Sequence, residues 1–309
     1  MSRFMQRMMM VGAAVAALII GVIIFAIGPA YRASDFPSNG IVTLHEYDAR
    51  VINYLPATIT AVTYNIGYAS GAKNNLPVPL DKTEVAANLA AIIDELKQLD
   101  PAIVVLQEVD LNAARTAHID QMRTIAAGLA MPYAAYAVTW NKRFVPWPYW
   151  PPTTWFGKML SSTAILSRFP IVAQKVTYFP KPASNAFWYN WFYIDRIAQG
   201  VHLMVGDETW RVYNVHLEAF NQQARRAQLT TFTDIVAQQQ DTMLAGGDFN
   251  ENDAQTLDVF VHATGLSDVG YDIDHLFSNA RLVRTASGHS AAGPSDHPLV
   301  WATYTVAVE

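Results

Sequence analysis

The sequence predicts an α/β domain held behind a single membrane-spanning helix. Three observations carry this. From residue 58 onward, apolar or β-branched runs of strand length alternate with amphipathic helical stretches. Residues 8–27 form an uncharged, almost wholly apolar run, long enough to cross the hydrocarbon core of a bilayer as one helix. Hydrophobic residues make up 51% of the 309, enough for a sizeable core, and no internal repeat, low-complexity tract or second linker divides the chain. The expected organisation is a cytoplasmic stub and anchor over 1–30, a tether over 31–42 and one domain over 43–309.

Arg3 and Arg7 precede the apolar run, while Arg32 and Asp35 follow it. The positive-inside rule then leaves the short N-terminus in the cytoplasm and puts the domain outside, as a single-pass protein of the cell membrane. The alternative is a cleaved signal peptide. Gly28-Pro29-Ala30 is a poor small-residue cleavage site, and the run is longer than a usual signal core, so an uncleaved anchor is favoured. Residues 33–39, polar with one proline, read as the tether.

Residues 58–66 alternate as a strand and end in Tyr64-Asn65-Ile66-Gly67. Residues 74–80, with two prolines, read as a loop. The helix over 83–99 lines up Val85, Leu89, Ile92, Ile93 and Leu96; Asp81 or Thr83 is placed to cap it, and Asp100-Pro101 stops it. A short apolar strand over 102–106 runs into Gln107-Glu108-Val109-Asp110. A second helix is expected over 116–129, with Ile119, Met122, Ile125 and Leu129 inward, and a strand over 133–139. Residues 140–155 then read as a long loop rich in proline and aromatics. A second aromatic cluster comprises Phe187, Trp188, Tyr189, Trp191, Phe192 and Tyr193; six of the eight tryptophans fall between 140 and 191, so the enrichment is local. Strands are expected over 162–167 and 171–178. A hairpin follows, over 201–205 and 209–217 around Gly206. A helix over 221–239 comes next, then a buried strand over 242–245 that ends in Gly246-Gly247. The remaining elements are a helix over 254–264 capped by Asp253, a strand over 272–277, a further candidate over 281–284 and a last strand over 299–305 that closes the sheet.

The absence of cysteine excludes disulfides, thiolate metal sites and a cysteine nucleophile, and does not fix the redox compartment. Setting aside Arg3 and Arg7, 19 of the 21 basic residues face 26 acidic ones, a net of −7. A protein that lives on nucleic-acid phosphates usually carries a basic face, so the balance argues against such a partner.

Polar residues recur where apolar strands run out: Asn65, Glu108, His216 in Asn214-Val215-His216-Leu217, Asp248 with Asn250, and Asp274 with Asp296-His297. Each has an ordinary structural use. Asn65 suits a turn, Glu108 and Asp274 suit caps, His216 suits a satisfied core position, and Ser295-Asp296-His297-Pro298 suits a turn. Together they form one pattern, because sites in open α/β sheets gather beyond strand ends. Carried on as a strand, Gly247-Asp248-Phe249-Asn250 points Asp248 and Asn250 to one side and Phe249 into a core. A carboxylate there can take a proton or hold a metal, and an amide can hold a phosphate oxygen.

In this order, Tyr64-Asn65-Ile66, Gln107-Glu108-Val109, Asn214-Val215-His216-Leu217, Gly247-Asp248-Phe249-Asn250, Asp274-His275-Leu276-Phe277 and Ser295-Asp296-His297-Pro298 resemble the endonuclease/exonuclease/phosphatase superfamily. The likeness runs from about residue 58 to 304, and residues 163–171 resemble the family's strand before its second sheet. It implies a four-layer sandwich, two mixed β-sheets flanked by helices. It also implies a divalent metal, Mg2+ or Mn2+, held by Glu108 with Asn65 close by and Asp296 as a further ligand or partner; oxygen donors suit a hard cation. In the same family terms, Asp274 orients His297, and Asp248 positions or deprotonates the attacking water. Asn250 and His216 hold the non-bridging oxygens. Asp248 and His297 both remain candidates for the base, and one or two metals remain open. One departure stands out: pancreatic deoxyribonucleases carry a further glutamate beside the active histidine, where this chain reads Ser161-Ser162-Thr163-Ala164.

The resemblance implies a metal-dependent phosphoric ester hydrolase. Its own membrane anchor, the acidic balance and the two aromatic loops favour a phospholipid-type phosphodiester, as in sphingomyelinases, over nucleic acid. Residues 145–148 and Gly157-Lys158 resemble bacterial relatives of neutral sphingomyelinase. Two alternatives stand beside this. One is an extracytoplasmic nuclease whose aromatics stack bases; the other is an inactive binding protein on the same fold. No protein partner is expected.

Overall fold

The computed structural model describes residues 3–44, 50–291 and 293–306. In chain order the elements are α1 (Arg3–Ile27), β1 (Asn39–Thr43), β2 (Ile59–Asn65), α2 (Lys82–Leu99), β3 (Ile103–Asp110), α3 (Gln121–Gly128), β4 (Tyr133–Val145), β5 (Gly157–Ser167) and β6 (Ile171–Tyr178). Then come α4 (Phe187–Asn190), β7 (Ile197–Val205), β8 (Glu208–His216), α5 (Gln222–Val236), β9 (Thr242–Asp248), α6 (Ala254–Thr264), β10 (Ser267–Tyr271), β11 (Asp274–Ser278), β12 (Leu282–His289) and β13 (Val300–Val306).

Strand alternation decides the layers. On β2 and β3, Val62, Tyr64, Val104 and Leu106 face outward and pack under α2 and α3, against Val85, Leu89, Ile92, Met122 and Ile125. Their neighbours Ile59, Ala61, Ile103 and Val105 face inward, where they meet Val201, Val212, Leu244 and Leu276 of a second sheet. On that sheet's far side Val215, Met243, Ala245 and Phe277 pack under α5 and α6, against Leu229, Phe232 and Phe260. The result is helix, sheet, sheet, helix. The first sheet has seven strands in the order β1-β4-β5-β3-β2-β13-β12, and the second has six, β10-β11-β9-β8-β7-β6. Both are mixed: β2 with β3 and β8 with β9 are parallel, and the other pairs are antiparallel. This is the expected sandwich.

α2 is capped as expected, with the Asp81 carboxylate accepting from the Glu84 amide at 2.8 Å, and α6 keeps its predicted bounds behind Asp253. Several boundaries differ. α3 begins at Gln121, not 116, because Asp120 caps it by accepting from the Arg123 amide at 3.0 Å, and the preceding residues spend themselves in a single tight turn over Ala114–Thr116. β4 does not stop at 139. Asn141 and Lys142 pair with Leu160 and Met159 of β5, so the aromatic loop shrinks to 146–156. β13 lies between β2 and β12 rather than at a closing edge. β1 and β10 are short edge strands with no clean alternation to announce them.

The stretch read as a tether is pinned along β4. The Ala33 amide donates to Asn141 Oδ1 (2.7 Å), Asn141 Nδ2 donates to the Ser34 carbonyl (3.1 Å), the Arg143 amide donates to the Tyr31 carbonyl (2.9 Å), and β1 pairs with β4. Ahead of it, α1 is long and apolar enough to cross a membrane, a property an N-terminal signal sequence shares, and residues 5–22 are exposed throughout.

Candidate active site

The C-terminal ends of β2, β3, β8 and β9, the start of β11 and the loop before β13 meet at one end of the sandwich. In the second sheet His216, Asp248 and Asp274 lie side by side in register. From the first sheet Asn65 reaches across, and its Nδ2 donates to Asp248 Oδ2 at 3.0 Å. Asn65 Oδ1 accepts from the Gly67 amide at 3.1 Å.

Glu108 enters by a local defect. The pairing of β3 with β5 slips between Leu106 and Val109, and Glu108 takes a left-handed φ of 54°. Such a backbone costs about 1–2 kcal/mol for a residue with a side chain, and the bulge turns the carboxylate toward the crevice. There Asn74 Nδ2 donates to Glu108 Oε2 and to Asp296 Oδ2, both at 3.1 Å. Burial raises the Glu108 pKa, and the Asp296 carboxylate raises it further. Gly67, at φ 51°, makes room for this pair, since a Cβ there would lie 2.5 Å from Asp296 Oδ1.

Ser295 locks the last loop, its Oγ donating to the Asn65 carbonyl at 2.7 Å and accepting from the His297 amide at 3.2 Å. His297 Nδ1 then stands 2.7 Å from Asp274 Oδ2. Burial alone would lower the histidine's pKa. The hydrogen bond and charge of Asp274, with the charge of Asp248, outweigh it and hold the ring up at about 10. His297 is therefore an imidazolium at neutral pH, donating from Nδ1. Asp248 is almost fully buried, and burial together with the Asp274 charge raises its pKa. In the metal-free protein the His297 ring proton resonance is expected to titrate near pH 10, and in Asp274→Asn to move back toward the ordinary histidine range. A His297 transition near 6.5 in the intact protein would contradict the pairing.

His216 behaves differently. Burial, the Arg196 guanidinium and His297 push its pKa well below the usual value, and Arg196 Nη1 donates to its Nε2. The ring is neutral, so its 3.5 Å approach to Asp248 is not an ion pair. The strand ends at Asp248 rather than running on to Asn250. Asn250 turns to φ 50°, its amide donates to Asp248 Oδ1 (2.8 Å), and its Nδ2 donates to the Leu217 carbonyl (3.0 Å). Phe249 is fully buried, as expected. All eight predicted residues thus reach one crevice.

Four neighbours, Arg196, Glu218, Tyr193 and Asn74, were not foreseen as part of the site. Arg196 and Glu218 are buried behind His216, 3.8 Å apart, and Tyr193 donates its hydroxyl to Glu218. An arginine just before the buried strand β7, opposite His216, is the signal that would have flagged Arg196. Asn74 lies in a loop with nothing to mark it. His275 faces the other side of β11, bound to Asp268 at 3.0 Å.

Two donor sets here suit a cation. Oxygens of Asp248 and Asp274 and a ring nitrogen of His297 lie within 4.8 Å of one another. Asp248 Oδ2 and Asp274 Oδ2 are already engaged, with Asn65 and with His297, and only the buried Asp274 Oδ1 is without a hydrogen-bond partner. Glu108 and Asp296 are instead two hard carboxylates converging on one exposed spot, bridged by an amide whose NH2 sits where positive charge is wanted, and this pair is the better fit. Two grooves of about 510 and 390 Å3 border α5 and contain none of these residues.

A two-sheet sandwich with an acid, amide and histidine array across its strand ends defines a hydrolase of phosphoric esters. Residues 62–297 match the profile of the Endonuclease/Exonuclease/phosphatase family, and the chain belongs to that family. It is a metal-dependent enzyme of that kind. The fold is similar to that of an endonuclease/exonuclease/phosphatase from Beutenbergia cavernae DSM 12333 (19% identity, 81% of this chain and 72% of that one, TM-score 0.59). It is also similar to TDP2 from Caenorhabditis elegans (19%, 81% and 74%, 0.52) and to a mannosyl-6-phosphatase from Bacteroides thetaiotaomicron VPI-5482 (17%, 79% and 98%, 0.52). No curated protein matches the sequence.

Proposed function

We propose that the protein is a Mg2+- or Mn2+-dependent phosphodiesterase acting on a phospholipid-type diester, anchored by α1 with its domain outside the cytoplasm. One observation carries the chemistry: the Glu108–Asn74–Asp296 cluster, the Asn65–Asp248 pair and the Asp274–His297 pair open into the same crevice. Glu108 and Asp296 would hold the ion, with Asn65 beside them. The bound ion supplies Lewis-acid polarisation of a phosphoryl oxygen. The remaining work falls to the chain's own groups. Asp248, its two oxygens fixed by Asn65 and the Asn250 amide, accepts the proton of the attacking water; its raised pKa suits that task. His297, kept protonated by Asp274, donates toward the charge that grows on the phosphoryl group. Asn250 and His216 bind the non-bridging oxygens, and Arg196, buried behind His216, fixes that ring by donating to its Nε2.

The lipid reading is supported by the apolar helix and by the aromatic clusters beside the crevice. The same aromatics suit base stacking, which keeps a nuclease as the second reading. The test is a panel for the full-length protein in detergent: sphingomyelin, glycerophospholipids, inositol phosphates, plasmid and single-stranded DNA, and a chromogenic phosphate bis-ester. The expected result is turnover of the bis-ester and of a phospholipid, lost with a chelator and restored by Mg2+ or Mn2+. Cleavage of DNA alone would replace the lipid reading with the nuclease. Metal-independent turnover would remove the proposed mechanism.

A further inference from the structure

The sequence suggests a flexible tether between helix and domain, and the structure replaces it with a strap that has a direction. Residues 31–43 run antiparallel to β4, from Arg143 at one end to Tyr133 at the other. The Arg143 Nε bond to the Arg32 carbonyl (3.3 Å) and the stacking of Phe36 near Tyr136 (5.2 Å between rings) add to the bonds already given. The strap therefore fixes where α1 leaves the domain: beside residues 141–143, just before the aromatic loop 146–156.

That end is also the end of the crevice. Arg115 lies 3.5 Å over the Tyr68 ring, 4.6 Å from the Phe156 ring and 5.7 Å from Trp140, and Tyr68 feels the charge of Glu108. Trp140 Nε1 donates to the Phe192 carbonyl at 2.7 Å, and the Asp195 amide donates to the Thr139 carbonyl at 2.9 Å, which ties the second aromatic cluster to the same arm. From there Tyr193, Glu218 and Arg196 lead to His216. Both aromatic clusters thus border the crevice mouth, one on each sheet.

Phe156 and Tyr193 are buried, but the outer rings of both clusters are not. Trp150 is 78% exposed, Phe187 72%, Tyr149 54% and Trp188 52%, with Trp147 and Trp191 also on the surface. Arg32 and Arg143 flank the exit of the helix on a chain that is acidic overall. Amphipathic rings edged by cations, next to the root of an apolar helix, match the headgroup layer of a bilayer.

We propose that this rim is a membrane-contact surface: the strap and the two clusters hold the catalytic mouth face-down on the bilayer that α1 enters. The proposal builds on the lipid reading above and adds an orientation to it. Its occupant is the lipid surface, because the rim is continuous with α1, the one helix among the described residues long and apolar enough to cross a bilayer.

The test uses the full-length protein in vesicles of phosphatidylcholine with an anionic phospholipid, some carrying acyl chains brominated near the headgroup. Residues 1–30 contain no tryptophan, so quenching by bromine reports on the domain alone. The expected result is quenching of a large share of the emission, reduced in Trp150→Ser combined with Trp188→Ser, whose exposed positions do not support the fold, while Trp147 and Trp191 stay on the rim. Turnover of the soluble bis-ester should be unchanged in that variant, while phospholipid turnover in the vesicle falls about tenfold or more, as expected when the anchored domain is no longer oriented with its mouth on the surface. Asn141→Ala, which removes the two bonds that hold Ala33 and Ser34 to β4 while the β1 pairing stays, should loosen the α1 end of the strap and reduce both quenching and phospholipid turnover. Absence of quenching in the intact protein, or equal quenching in the double variant, overturns the proposal. If those tryptophan changes weaken single-stranded DNA binding instead, the rim is a base-stacking surface and the proposal fails. Quenching without phospholipid hydrolysis sinks the substrate assignment and leaves the docking standing.

Discussion

Replacing His297 with alanine is expected to reduce metal-dependent hydrolysis of a phosphodiester by about a thousandfold or more, roughly 4 kcal/mol of transition-state stabilisation, together with some loss of stability, since it leaves the buried Asp274 carboxylate without its partner. The loop itself keeps its place, because Ser295 fixes it through the Asn65 carbonyl and the His297 amide, neither of which involves the imidazole. The activity is not spared. The ring stands against Asp274 and near Asp248, and the positive charge it carries at neutral pH has no substitute at that spot. Asp274→Asn makes the complementary case. It leaves the ring in place but weakens the partner that keeps it protonated, so a smaller loss is expected, on the order of a hundredfold, with a changed pH profile. Circular dichroism and steady-state rates on the bis-ester check both. Full activity in folded His297→Ala would remove the histidine from the reaction.

The fold was legible because its signal is local. Val62 and Tyr64 against Ala61 and Thr63 already announce two faces, and the Asp81 and Asp253 caps mark helix starts with the residues that make them. The site was legible for a related reason: Asn65, Glu108, His216 and Asp248 each end or interrupt an apolar run and Asp274 begins one, and a polar group there has nowhere to go except the sheet's end. What escaped depends on contacts distant in sequence. Asn74 is one more asparagine in a proline-bearing loop until Glu108 and Asp296, 34 and 222 residues away, close on it. The strap looked like a linker because its partners are the backbone and Asn141 of a strand 107–108 residues on. β1 does alternate in burial, but over only five residues, Asn39–Thr43, none of them fully buried, so its sequence carries no apolar signal. Asn250 was placed on the strand by period-two reasoning, and its left-handed turn is invisible to that rule.

Gly247→Ala is expected to cost more stability than any surface change in the molecule, about 3 kcal/mol or more. β9 runs parallel to β8, with Gly247 opposite Val215, and a Cβ at Gly247 would lie 1.9 Å from the Val215 carbonyl oxygen, 2.8 Å from its carbon and 2.9 Å from its nitrogen. These are backbone atoms, so no rotamer change relieves the clash; β9 has to leave β8. Gly246 is less constrained, its Cβ meeting side-chain atoms, Thr63 Cβ at 3.0 Å and Leu276 Cδ1 at 3.3 Å, rather than backbone, and it should cost less. Gly265 serves as a control for glycine's backbone freedom alone: it ends α6 at φ 67° with open space around it, and its replacement by alanine should cost only about 1 kcal/mol. For a domain of this size the Gly247 loss corresponds to a fall in Tm of roughly 6–12 °C. The consequence reaches the chemistry, because the residue after Gly247 is Asp248, aligned with His216 on one side and Asp274 on the other. Any protein that still folds should therefore lose activity along with stability, whereas Gly265→Ala should lose a little stability and no activity. Thermal unfolding and bis-ester rates for the three variants separate the cases. A Gly247→Ala protein with unchanged Tm would mean that the two strands do not approach as closely as this register requires.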